Sequence, residues 1–121
     1  MLIAQPGRMG PLKLRNRIIM GPMGTNFGTT DGMSTERDKL YYGERARGGA
    51  AMIVTEAMVI QPGARNHTNS MCLFHDRYIP GLAGVVDAMA TFRLRHAVSE
   101  RRTERETKRF SLDARAHYQP A

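Results

Sequence analysis

The stretch Leu12-Lys13-Leu14-Arg15-Asn16-Arg17-Ile18-Ile19-Met20-Gly21-Pro22-Met23-Gly24-Thr25-Asn26-Phe27 decides how this chain folds. Its apolar run, Ile18 to Met20, is too short for a buried helix and is bounded by breakers, so it reads as a buried parallel strand. Proline has no N–H to give to a central ladder, so the strand ends at Pro22 and releases the chain at its carboxyl end. In parallel α/β architectures that edge is where ligands sit, and a Gly-Pro-Met-Gly-Thr segment lets backbone approach a planar ligand closely.

Downstream, Asn26 to Ser34 is rich in Gly, Thr and Asp-Gly and reads as loop. Thr35-Glu36-Arg37-Asp38 fits a capping box, with Thr35 as N-cap and Asp38 reaching back as N3. A helix through about Arg47 follows, with acids in its first turn and Arg45 and Arg47 in its last, until Gly48-Gly49 stops it. Tyr41 and Tyr42 are packing residues on that helix. Ala50 to Thr55 is a second buried strand, ended by Glu56. Strand, helix and strand in some forty residues make a βαβ unit, which closes right-handed with its strands parallel. Both carboxyl ends then meet at one edge, with Gly21 to Gly24 beside Glu56-Ala57-Met58.

Upstream, Pro6-Gly7 and Gly10-Pro11 punctuate a segment in which Leu12 and Leu14 alternate with Lys13 and Arg15, either a short hairpin or an irregular arm. Gln61 to Asp76 is again loop. Its His67, His75 and Cys72 match no usual zinc spacing, so no metal site is assigned, and Cys72 reads as an ordinary thiol. Ile79, Leu82, Val86 and Met89 recur at helical spacing with Pro80 in the first turn, which predicts a second, core-forming helix.

The bulk numbers set limits. The 121 residues allow one small domain, and the single cysteine excludes an internal disulfide. There is neither an apolar run of membrane-spanning length nor a secretory leader, which makes a cytoplasmic setting the expectation. The formal charge of +7 is uneven: residues 1–92 hold ten Lys and Arg against seven Asp and Glu, and residues 93–121 hold eight against four. All twelve glycines and all nine methionines precede residue 91. Two parts are therefore expected, 1–90 as the α/β domain and 91–121 as an Arg-rich tail, helical or disordered. An alternation over Phe92 to Val98 also admits a short strand there.

The wording of Arg15 to Asn26 resembles the first barrel strand of the old yellow enzyme superfamily of NADH:flavin oxidoreductases. Its "PMGTN" is nearest to the 2-enoate and 2,4-dienoyl-CoA reductases. Four further pieces agree in order: the Asp31-Gly32 loop; Tyr42 with Glu44-Arg45-Ala46 before Gly48-Gly49; Ile53 to Glu56; and Asp76-Arg77-Tyr78-Ile79-Pro80-Gly81-Leu82. The resemblance runs from about Gln5 to Met89, beyond which Arg93-Leu94-Arg95-His96-Ala97 is only a faint echo of the third strand.

This resemblance implies a (β/α)8 TIM barrel holding FMN at its carboxyl-end mouth. A complete barrel takes roughly 250 residues, so the chain corresponds to the N-terminal fragment, about two βα units, with a basic non-matching tail. Pro22, Met23, Gly24 and the backbone at Ala57 match flavin-contacting positions, and no catalytic residue is assigned. Glu56 matches a recurrent acid, whose plainer role is to end a strand. The implied chemistry is reduction by NAD(P)H, through FMN, of alkenes conjugated to a carbonyl, with enoates or enoyl-CoA esters as substrates. Iron–sulfur clusters belong only to full-length relatives. Alone, the chain is expected to be inactive, a truncated or frame-disrupted product needing an oligomer or complementary chain. The competing expectation is a small basic module for nucleic acid or an acidic partner; it lacks a base-stacking aromatic array.

Overall fold

A computed structural model describes residues 1–91 in full and the backbone of residues 95–101. The chain runs through a hairpin of β1 (Gly7–Met9) and β2 (Leu12–Leu14), then β3 (Ile19–Met20), α1 (Glu36–Arg47), β4 (Met52–Val59), α2 (Ile79–Ala90) and β5 (Arg95–Arg101). Strands β3, β4 and β5 form a parallel sheet in sequence order, with Ile19 opposite Met52 and Met52 opposite Arg95. This is a βαβαβ segment of a (β/α)8 barrel, with no closed barrel among the described residues.

Local chemistry explains the elements. Asp38 accepts the Thr35 N–H at 2.8 Å and completes the capping box that starts α1. At the far end Gly49, at φ +106°, takes the left-handed turn that an L side chain resists. Arg15 then donates to the carbonyls of Ala46 (3.2 Å) and Ala50 (2.8 Å), and Asn16 donates to that of Gly49 (2.8 Å). A guanidinium on the last carbonyls of a helix suits the negative end of its dipole. The same two residues lead into β3, so the helix terminus and the strand start are fixed together. The upstream segment is the hairpin, and its Leu14 packs on Ala51 and Met52.

The main core lies between the sheet and the helices. Tyr42 and Ala46 of α1, Ile53 and Met58 of β4, and Val85 and Met89 of α2 form one buried cluster. Ile53 and Met58 are five apart, an odd separation that would put them on opposite faces of a regular strand. A bulge resolves this: between Val54 and Ala57 the β4 register slips against β5, so that Thr55 and Glu56 together face one residue of the partner.

The structure corrects three expectations. Glu56 does not end the second strand, which bulges and continues to Val59. Strand β3 is not buried on both faces, for Ile19 is 45% exposed, as is Ile18 just before it at 43%. Ile79 is also exposed, and the buried stripe of α2 runs through Leu82, Val85, Val86 and Met89. Of the readings left open for the start of the tail, the short strand in the Phe92 to Val98 alternation is present, as β5 over 95–101. The rest of the tail expectation, with the basic-module reading built on it, lies at residues 102–121, outside those described.

Candidate functional site

The β3–α1–β4 crossover brings the two carboxyl ends together as the strand order requires. A cavity of about 180 Å³ opens there, lined by Pro22, Met23, Gly24, Glu56, Ala57, Asn66, His67 and Ser70. Pro22, Met23, Gly24 and Ala57, singled out from sequence, therefore share one wall. Pro22 to Gly24 leave β3, and Ala57 stands just past the β4 bulge.

Glu56 ties these two strand ends together. Its side chain is buried, and Oε2 accepts the Thr25 N–H at 2.5 Å and the Thr25 hydroxyl at 3.0 Å. Its own N–H, displaced from the ladder by the bulge, donates to Tyr42 Oη at 2.9 Å. Thr25 Oγ1 also lies 3.4 Å from Asp38 Oδ1, linking the turn to the cap of α1. Burial, followed by the charges of Glu56 and Asp38, pushes the Tyr42 phenol above its ordinary range, while the Glu56 N–H it accepts pulls the other way. Glu56 Oε1 is buried without a hydrogen-bond partner among the described residues.

The third side comes from the loop after β4. Residues 60–75 fold back along the strand end: the Val59 N–H reaches the Met71 carbonyl at 2.9 Å and the Leu73 N–H reaches the Val59 carbonyl at 2.7 Å. Asn69 N–H donates to Asn26 Oδ1 at 2.9 Å, and Arg65 donates to the carbonyls of Thr30 and Thr68. His67 is thereby laid over Gly24, where a Cβ would stand 2.9 Å from its Nε2. Any larger residue at 24 would displace the imidazole. Sequence reasoning set His67 aside as a loop residue, since no spacing rule points from residue 67 to residue 24. Thr25 was likewise missed, though Asp38 had been read as a capping residue. Among the described residues no three His, Cys, Asp or Glu side chains gather as a metal site would need.

Over residues 3–98 the sequence matches the NADH:flavin oxidoreductase / NADH oxidase family. The chain belongs to that family. The old yellow enzyme relationship drawn from Arg15 to Asn26 holds, and the match extends past Met89, where the sequence resemblance had stopped, into β5. The third strand was hard to read because Arg93 and Arg95 replace the apolar run of a buried strand. The NADH oxidase of Thermoanaerobacter brockii is 37% identical over 87 residues, which are 71% of this chain and 13% of that protein. Morphinone reductase, solved in complex with tetrahydroNAD, superposes with a TM-score of 0.74 at 32% identity, over 81% of this chain and 26% of its own. A 2-naphthoyl-CoA reductase shares the fold, with a TM-score of 0.78 at 23% identity over 82% of this chain and 15% of its own. The chain thus spans a small part of the flavin oxidoreductases it matches.

The family implies FMN and a reduced nicotinamide, and the site can be tested against the former. A proline, a glycine with no Cβ and an alanine offer a wall that a flat ring can approach. At about 180 Å³ the cavity is smaller than the roughly 300–1,000 Å³ of usual ligand pockets, and no Lys or Arg lines it to meet a phosphate. The residues present suit part of the ring and not the phosphate. No described helix is long and apolar enough to cross a membrane.

Proposed function

We propose that the chain supplies the first part of an FMN-dependent oxidoreductase that uses NAD(P)H to reduce activated C=C bonds of enoates or enoyl-CoA esters. The observation that carries this reading is the shared wall: Pro22, Met23, Gly24 and Ala57 line one cavity at the carboxyl ends of two parallel strands. In this proposal the backbone of Pro22 to Gly24 and Ala57 holds one side of the isoalloxazine. When bound, the flavin supplies the hydride chemistry. Glu56 and Thr25 keep the wall in place, and His67 stands at its edge and limits access above Gly24. The proton donor, the phosphate site and any iron–sulfur cluster belong to segments outside this chain, so residues 1–90 act as a partial flavin domain in the cytoplasm. Its partner is the remainder of a barrel, supplied by a longer polypeptide, a complementary chain or an oligomer.

Titration of the purified chain with FMN, read by flavin fluorescence quenching, tests the proposal. The chain alone is expected to give no saturable quenching. Addition of a complementary barrel segment from a relative, starting after its third strand, is expected to restore it. Enoate reduction should then appear, and Gly24→Val should abolish both. Saturable binding that Gly24→Val and Ala57→Val leave unchanged would count against the assignment of the wall.

A further inference from the structure

We propose that Glu56 is the positioning residue of this site: through Thr25 it sets where the Pro22–Gly24 backbone stands relative to β4. This rests on the flavin reading for what the wall holds, though not for how the wall is held. Two donors of Thr25, its N–H and its hydroxyl, converge on the single oxygen Oε2. A carboxylate, which only accepts, satisfies such a pair, and hydrogen bonds to an ionised acceptor are about twice as strong as neutral ones. Among the described residues no Lys or Arg pairs with Glu56, so its link to the turn is its principal polar contact.

The backbone prepares this contact. The bulge turns the Glu56 N–H out of the ladder toward Tyr42 Oη, and α1 holds Tyr42 fully buried. Asp38, fixed by its cap on Thr35, stands on the other side of the same hydroxyl, whose single proton goes to Glu56 at 3.0 Å while Asp38 Oδ1 lies at 3.4 Å. Thr25 is therefore held between β4 and the first turn of α1. Gly24 precedes it directly, and the space above Gly24 is already taken by His67. A small displacement of Thr25 would move the wall into the imidazole or away from Ala57.

Amide hydrogen exchange on the full chain, followed residue by residue by NMR, tests this. Glu56→Ala is expected to speed exchange at Thr25 tenfold or more, while Val85 and Met89 in α2 keep their protection. Glu56→Gln, which keeps one acceptor oxygen, should give a smaller increase, and Thr25→Val should mimic the loss of one bond. Unchanged Thr25 exchange in Glu56→Ala overturns the proposal, as does an unprotected Thr25 amide in the unaltered chain. If Glu56→Ala unfolds the chain, the volume-conserving Glu56→Gln and Thr25→Val decide: a rise confined to residues 23–25 supports it, and a uniform rise overturns it. FMN titration of the barrel-completed protein is the second arm, with a tenfold or greater weakening expected in Glu56→Ala. If completed wild type binds no FMN while the exchange pattern holds, the flavin reading fails and the positioning role stands.

Discussion

The two faces of the β3–β4 sheet differ sharply. On the helix side Tyr42, Ile53, Met71, Val85 and Met89 are sealed from solvent and belong to one cluster that joins α1, β4 and α2. On the other side Ile19 and Met23 are each more than two-fifths exposed, and Leu14 with Ala51 and Met52 forms a small cluster at the hairpin end. Burial scales with the apolar area removed from water, so stability resides on the helix side. The open side carries the candidate site and the apolar surface that further barrel strands would cover. A (β/α)8 barrel makes these two faces by different means, the outer one within each βα unit and the inner one only by closure.

That contrast can be broken by mutation. The largest loss is expected from Ile53→Ala or Met89→Ala, about 2–5 kcal/mol, measured by urea denaturation with circular dichroism. Tyr42→Phe should cost about 1–3 kcal/mol, since it leaves the buried Glu56 N–H without its acceptor. Asp38→Ala, which removes the reciprocal half of the cap, should cost about 1 kcal/mol by the same measurement.

A pH titration sharpens the comparison further. The buried Tyr42 phenol titrates above its ordinary value in the folded chain. Its contribution is therefore fully present below the unfolded pKa of about 10 and is lost as pH rises from there toward the folded value. Denaturation midpoints should hold to about pH 9.5 and then fall, with Tyr42→Phe falling less. The smallest effect belongs to the open side, where Ile19→Ala should change stability by no more than about 0.5 kcal/mol in this chain. In a completed barrel the same substitution should cost several times more. Equal costs in the two settings would refute the contrast.

Much of this was legible in the sequence because the governing signals are local. Thr35 with Asp38 located α1, Gly48-Gly49 ended it, and the breakers around Ile18 to Met20 placed β3. The meeting of Pro22 to Gly24 with Ala57 followed from the handedness of one crossover. Exposure of Ile18 and Ile19 was not legible, since an apolar run states what a strand is suited to and not what surrounds it. The bulge at Thr55 and Glu56 left no mark either, because it depends on the strand alongside. His67 reached the site through a loop whose path is set by long-range bonds, Asn69 to Asn26 and Arg65 to Thr30.

The bulge also predicts how this segment tolerates change in length. One surplus residue in β4 keeps Ile53 and Met58 on the same side and leaves Ala57 free to line the cavity. Deleting Thr55 would leave Ile53 and Met58 four residues apart, the even separation of a regular strand, so the ladder would close with Ala57 to Val59 still on their present faces. A one-residue deletion at the bulge should therefore be absorbed by the ladder, whereas a second deletion in the same strand should turn the residues beyond it to the opposite face.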